Sequence, residues 1–371
     1  MLSTFSFPTT TLFGVGARHE LHDLLARLGA KHPLVVTDSG LTKTQAFALL
    51  TASLDGIRTA VFSNVRPNPV EEDVEGAFRA YSENGCDAVI AFGGGSTLDV
   101  GKAVRLRVKR PAQALAQFDY DLDWSGLVPL IAIPTTAGTG SEVGRSSVII
   151  MGDRKRVIFH PSLLATLVIL DPEFTRELPP KLTAATGADA LTHCIESFTS
   201  PIFHPLCDGI ALEGIRLIGG ALVRAVKNGD DLDARGMMQI AAAMGGIAFQ
   251  KDLGATHSLA HPLSSLCGLH HGLANALCLP FVMDFNAERK PGLYRRVGIS
   301  LGLSNPTDSA TITAVRTLLS ETGLTPGLRA HGVDESKIDA LTAQAFEDSC
   351  HATNPVPVTP EDLRRLYLQA L

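Results

Sequence analysis

Cys86–Leu106, CDAVIAFGGGSTLDVGKAVRL, decides the fold. The apolar run Ala88–Phe92 reads as a strand, Gly93–Gly95 as a turn, and the residues from Ser96 onward as a helix. Three glycines leave the turn without a Cβ to obstruct a ligand. Ser96 and Thr97 are placed to cap the helix, whose N-terminus favours a phosphate. The turn therefore suits a pyrophosphate, although GGGS is not the GxGxxG fingerprint and three glycines also serve as a plain connection.

The same grammar extends to both sides. Upstream, FSFPTTTLFGVG alternates as a strand or hairpin before a helix over residues 17–28, and HPLVVTDSGLTKT reads as a strand ending at Asp38. RTAVFSNVRPNP is a strand broken at Pro67 and Pro69, and VEEDVEGAFRAYSENG is an amphipathic helix closed by Gly85. Downstream, LVPLIAIPTTAGTGSEVGRSSVIIM holds a strand, a loop rich in Thr, Gly and Ser, and a return strand; Lys155 follows in the charged turn GDRKR, and LATLVILDPEF ends a further strand at Asp171. Strands alternating with helices imply βαβ units and a parallel sheet. Beyond Leu182 only long helical patterns rich in Ala, Leu and Gly remain, so the boundary is expected at Pro179–Lys181, with an α/β domain over 1–180 and an all-helical domain over 181–371.

The helical half carries the second informative stretch, Gly254–Pro280, GATHSLAHPLSSLCGLHHGLANALCLP. His257 and His261 are four apart and share a helix face, Pro262 starts or kinks a helix, and His270 and His271 follow Gly268. One histidine among Ala and Leu is more readily a satisfied core residue than a ligand. A cluster with a carboxylate points to a metal. That carboxylate lies upstream in TGADALTHCIESF, where Asp189 and His193 are again spaced i, i+4. The set Asp189, His193, His257 and His271, without thiolate, suits Fe²⁺, Zn²⁺, Mn²⁺ or Co²⁺ with a position left for substrate.

Composition narrows the class. Hydrophobic residues make up 45% and charged residues 19% of the 371 residues, as in a compact soluble protein with large buried surfaces, some of them between subunits. A formal net charge of -6 gives no sign of a nucleic-acid partner, and the basic run Arg105–Arg110 reads as a solvated helix end. The six scattered cysteines form no CxxC pair and read as reduced thiols; with no signal-peptide pattern and no apolar run long enough for a bilayer, the chain is expected to be cytoplasmic.

Taken together, GGGSTLDVGKAV, AIPTTAGTGSEV, GADALTHCIES and HSLAHPLSSLCGLHHGLANA, with RPNPVEEDV and the late TNPVPV, resemble the iron-dependent (group III) alcohol dehydrogenase family over almost the whole chain. The resemblance implies a Rossmann-like dinucleotide-binding α/β domain with a parallel sheet and an all-α domain, in a dehydroquinate synthase-like architecture with the active site between them. It places the metal, Fe²⁺ first and Zn²⁺ as the alternative, on Asp189, His193, His257 and His271. His270 becomes a supporting histidine, and His261 a catalytic candidate for proton relay or substrate positioning. It maps cofactor contacts onto Gly94, Gly95, Ser96 and Asp99, onto Thr135, Thr136, Thr139 and Ser141, and onto Lys155. Asp38 falls beside the adenosine ribose, where a carboxylate hydrogen-bonds the hydroxyls and repels a 2'-phosphate, favouring NAD over NADP.

The implied reaction moves a hydride between an alcohol and a nicotinamide, with an aldehyde or ketone as the other partner and a homodimer or higher homo-oligomer as the assembly. A maleylacetate reductase or glycerol dehydrogenase of the same superfamily is the nearer rival, which the intact Asp and three-His set disfavours. A metal hydrolase or lyase is the more distant one, and it would leave the glycine turn and threonine loop without a role. A scaffold that binds metal without turnover is the third. Glu196 is expected to support its helix, His204 and His160 to be loop residues, Trp124 to pack, and Phe249 and Cys267 to be pocket candidates.

Overall fold

Strands and helices alternate from Thr10 to Lys109, as the apolar runs and glycine breaks require, and four strands follow up to Leu170. The computed structural model describes residues 9–152 and 154–371, so Phe5–Pro8 of the expected N-terminal strand or hairpin and Asp153 of the charged turn lie outside the described residues. The first part runs β1 (Thr10–Phe13), α1 (Leu21–Arg27), β2 (Pro33–Val36), α2 (Gln45–Ser53), β3 (Ala60–Phe62), α3 (Glu71–Asn84), β4 (Ala88–Gly93), α4 (Gly95–Lys109), β5 (Leu130–Pro134), β6 (Ser146–Met151), β7 (Arg154–Phe159) and β8 (Leu167–Leu170). The second is helical: α5 (Pro180–Thr199), α6 (Pro205–Lys227), α7 (Leu232–Ala248), α8 (Ala255–Cys267), α9 (His271–Arg289), α10 (Arg295–Ser300), α11 (Asp308–Glu321), α12 (Ile338–Glu347) and α13 (Pro360–Ala370). Backbone proximity divides the described residues into an α/β unit, 9–136 with 141–178, and a helical unit that includes Pro179–Leu371 and the short loop Ala137–Gly140.

In the α/β unit six strands form one parallel sheet in the order β1-β8-β5-β4-β2-β3. Every residue of β2, β4 and β5 is buried, which suits strands covered on both faces. The chain moves outward from β2 to β3, then returns past β2 to β4 and continues through β5 to β8. This reversal makes the carboxyl ends of β2 and β4 a topological switch point, the place where open α/β sheets bind ligands. Phe92 anchors the core beneath it, meeting Phe174 edge-on at 5.0 Å.

The return strand is present as β6, which pairs antiparallel with β7 in a separate hairpin, because the two residues between them are too few for a crossover. One local expectation is corrected: the basic run is not wholly solvated. Arg105 is buried, its guanidinium donates to the carbonyls of Val128, Ser162, Leu163 and Leu164, and burial lowers its pKa to about 10.

The helical unit contains no strand among the described residues. Pro180 opens α5 at a position that needs no amide hydrogen, and small residues let the helices approach closely. Ala184, Ala188, Ala221, Ala225, Ala241 and Ala242 interleave with Ile215, Ile218 and Leu222 in one core. Gly272 is needed at the α9–α5 contact, since a Cβ there would collide with the Ala185 carbonyl. Pro262 sits inside α8, which continues to Cys267 and ends on Gly268 at φ +70°. All six cysteines are free, and no helix of the described residues is long and apolar enough to cross a membrane.

Candidate active site

The helical periodicity of α5 puts Asp189, His193 and Glu196 on one face, at i, i+4 and i+7. His257 comes from α8 and His271 from the first residue of α9. The structure brings Asp189, His193, His257 and His271 together, with one donor atom from each lying within 4.8 Å of all the others. Three Nε2 atoms converge on Asp189 Oδ1: His271 at 3.4 Å, His193 at 3.8 Å and His257 at 3.9 Å. His193, His257 and Asp189 are buried, whereas the His271 side chain remains 32% exposed and forms the open side of the cluster.

Neighbouring groups hold this set in orientation. Glu196, expected only to support its helix, accepts from His257 Nδ1 at 2.6 Å, and its two oxygens also take the amides of Gly254 and Thr256. That contact leaves His257 Nε2 to face the cluster. Asn275, one turn after His271 on α9, donates to Asp189 Oδ1 at 2.8 Å and lies 3.3 Å and 3.2 Å from Nε2 of His257 and His271. Thr139 donates to the other oxygen, Asp189 Oδ2, at 3.3 Å. Neither Glu196 nor Asn275 was singled out by sequence reasoning as a site residue, although each lies at helical spacing from one that was.

The electrostatics favour a cation. Burial lowers the His193 pKa to about 4 and pushes His271 well below the ordinary imidazole value, so both rings are neutral with lone pairs available. Burial opposes ionisation of Asp189, whereas the Asn275 amide that donates to Oδ1 favours its charged form. Four donors around an ion at about 2.1 Å would stand roughly 3.4 Å apart if tetrahedral, close to the 3.4–3.9 Å between Asp189 Oδ1 and the three nitrogens. His193 Nδ1 is buried without a hydrogen-bond partner. The residues present fit a divalent ion held by three imidazoles and one carboxylate.

His261 borders this cluster, its ring 5.2 Å from that of His271 and 5.9 Å from that of His257. Its Nδ1 meets Asp348 Oδ2 at 2.7 Å. His270 precedes α9 and is exposed. Phe249 stacks on His193 with ring centroids 5.7 Å apart, whereas Cys267 closes α8 against its core. His204 and His160 each cap a helical turn by accepting a backbone amide at Nδ1, and Trp124 packs flat on His160 at 4.4 Å.

In the α/β unit, the glycine turn and Asp38 lie at the carboxyl ends of β4 and β2. Gly93 adopts φ +155°, and a Cβ there would stand 2.7 Å from Thr97 Oγ1. The helix begins at Gly95 with Gly94 as its N-cap and no side-chain cap, so Ser96 and Thr97 sit within the first turn. Ser96 donates its hydroxyl to the Pro67 carbonyl. Thr135 pairs its amide with the Gly93 carbonyl at 3.1 Å, and Thr136 lies beside Gly94. Asp38 accepts the Gly40 and Leu41 amides through Oδ1.

Asp99 and Ser141 are engaged in a different way. Asp99 takes the Ser141 hydroxyl at 2.7 Å and the Val148 amide at 3.1 Å, and buried Lys102 donates to Ser141 Oγ at 2.8 Å, tying α4 to the hairpin. Lys155 lies exposed on β7, opposite Ile150.

Comparison with known proteins bears on both units. The family model for iron-containing alcohol dehydrogenase matches residues 8–172, and that for the C-terminal part of the Fe-containing alcohol dehydrogenase family matches residues 183–371. The 4-hydroxybutyrate dehydrogenase of Cupriavidus necator is 39% identical over 370 residues, covering 96% of each chain. A crystal structure of 1,3-propanediol oxidoreductase matches at TM-score 0.95 and 32% identity over 100% of both chains. Sulfoacetaldehyde reductase from Bifidobacterium kashiwanohense, solved in complex with NAD⁺, matches at TM-score 0.92 and 30% identity over 100% of this chain and 99% of that one. With matches along nearly the full length and a carboxylate and three imidazoles converging in the helical unit, the chain belongs to the iron-containing alcohol dehydrogenase family of metal-dependent alcohol oxidoreductases.

Proposed function

We propose that this chain transfers a hydride between a small alcohol and NAD⁺, with Asp189, His193, His257 and His271 holding one divalent ion, Fe²⁺ or Zn²⁺. The observation that carries the reading is the convergence of three imidazole nitrogens on one carboxylate oxygen. Bound there, the ion supplies Lewis acidity toward the substrate oxygen, and the dinucleotide supplies the hydride acceptor. The chain's own residues do the rest. Glu196 fixes the His257 tautomer, Asn275 and Thr139 hold the two oxygens of Asp189, and His261 accepts a hydrogen bond from, or positions, the reacting hydroxyl. The Gly93–Gly95 turn and the N-terminus of α4 take the pyrophosphate, with Thr135 and Thr136 beside them.

Asp38 supports NAD over NADP, since a carboxylate at the end of β2 repels a ribose 2'-phosphate. Asp38→Gly is expected to narrow the preference for NAD⁺ at least several-fold in kcat/KM. An unchanged ratio would remove Asp38 from the ribose site. Self-association belongs to the same proposal, supported by the exposed apolar side chains of Ile202, Phe203 and Leu206 on the helical unit. The functional test follows NADH formation over a panel of short alcohols, diols and hydroxy acids after anaerobic loading with Fe²⁺ and, separately, with Zn²⁺. Metal-dependent NADH formation with at least one alcohol is the expected result; ester or phosphate hydrolysis without any NADH formation would favour the hydrolase reading.

A further inference from the structure

Asp348 lies 87 positions from His261, in the segment that follows α12, and is bound through both of its carboxylate oxygens. Oδ2 meets His261 Nδ1 at 2.7 Å, while Oδ1 accepts the Ser258 hydroxyl at 2.9 Å and the Cys350 amide at 2.9 Å. Ser258 in turn accepts the His351 amide at 2.8 Å. Ser258 and His261 are one turn apart on α8, so a single carboxylate grips two residues of the same helix face. Burial would raise the Asp348 carboxyl, but these donors hold it well below the usual range. An ionised carboxylate only accepts, so the hydrogen of this contact resides on His261 Nδ1. The other ring nitrogen then carries a lone pair, on a side chain that is 43% exposed and borders the four-donor cluster.

We propose that Asp348 is a positioning residue for the alcohol reaction: with Ser258 and the Cys350 amide it locks His261 in the Nδ1–H tautomer and presents Nε2 as a hydrogen-bond acceptor to the substrate hydroxyl. The inference rests on the alcohol-oxidising reading above and adds a residue to it. It also explains why the late segment 348–354 is fastened to α8 and to the loop before it, through Ser258, the Leu253 carbonyl and the Ala255 amide. The distribution of donors makes the arrangement testable by a nearly isosteric change. In Asp348→Asn the single amide oxygen is drawn to the side with two donors, Ser258 and Cys350. The amide NH₂ then faces His261 Nδ1, which can only accept, and the ring is forced into the Nε2–H form.

The test uses full-length protein labelled with ¹⁵N-histidine and loaded with Zn²⁺, which is diamagnetic. Long-range ¹H–¹⁵N correlation reads the tautomer of His261, assigned by its loss in His261→Asn. The expected results are Nδ1–H in the wild type and Nε2–H in Asp348→Asn. With them goes a fall of about tenfold or more in kcat for alcohol oxidation, while zinc content and KM for NAD⁺ stay unchanged. A loss of packing alone would not invert the tautomer. Nε2–H in the wild type overturns the proposal, as does Asp348→Asn with the wild-type tautomer and kcat within about twofold of the wild type. If Asp348→Asn does not fold, the wild-type tautomer decides. Failure of the wild type to hold zinc or to oxidise any alcohol would count against the underlying functional reading, a result separate from the tautomer found in the same sample.

Discussion

At Asp189, one carboxylate oxygen is shared by three imidazoles and an amide, and each neighbour has a separable consequence. His271 supplies one of the convergent nitrogens, whereas the adjacent His270 is exposed and outside the set. His271→Ala is therefore expected to abolish retention of iron or zinc through gel filtration, and His270→Ala to leave most of it; the opposite pattern would show that the histidine register is wrong. Glu196→Gln tests the orienting shell. Loss of the charged acceptor at His257 Nδ1 should weaken metal affinity by about 10–100-fold in a chelator competition, and an unchanged affinity would make the 2.6 Å contact incidental. The Asp189–His193 pair was legible because i, i+4 spacing on a helix guarantees a shared face. Glu196 carries the same signal at i+7, but a lone glutamate on a long helix is usually solvated. Asp348 gave no signal at all, because its meeting with His261 depends on a tertiary path of 87 residues.

The elements themselves were largely written in the chain. Continuous apolar runs bounded by glycine and proline marked β2, β4, β5 and β8, and helical spacing marked α3 and α5 through α9. The β6–β7 hairpin was harder to read, since a strand pattern is local while the choice of partner depends on turn length. The solvated reading of Arg105 failed because four backbone carbonyls from distant loops came to surround it. One element-level feature carries strain. Asp252, between α7 and α8, adopts φ 58° and ψ -173°, a region otherwise left to glycine. Asp252→Gly should raise stability by about 1 kcal/mol, seen as a higher denaturant midpoint at unchanged slope; a lower midpoint would mean that the carboxylate contributes more than the backbone strain costs.

For the whole molecule, the dependence of stability on pH should carry the mark of Glu142. Its side chain is buried in the α/β unit, and desolvation raises its pKa to about 7, opposed by its own backbone hydrogen bond and by Lys102. Between the ordinary value of 4.5 and about 7 the unfolded chain ionises this group while the folded chain keeps its proton. Stability from this source is thus fully present below about pH 4.5, declines as pH rises, and is lost above about pH 7, a change of roughly 3–4 kcal/mol at about 1.4 kcal/mol per pKa unit. Glu142→Gln should flatten that decline and stabilise the protein at pH 8, as followed by thermal unfolding across pH; an undiminished decline would place its source elsewhere.

The central claim is that four side chains from three helices hold a single divalent ion. Crystals of the protein loaded with Fe²⁺ under argon and measured on either side of the iron absorption edge test it most directly. One anomalous peak per chain within bonding distance of Asp189, His193, His257 and His271 is the predicted result. A peak bounded by other side chains, or none in a sample with full iron content, would contradict it.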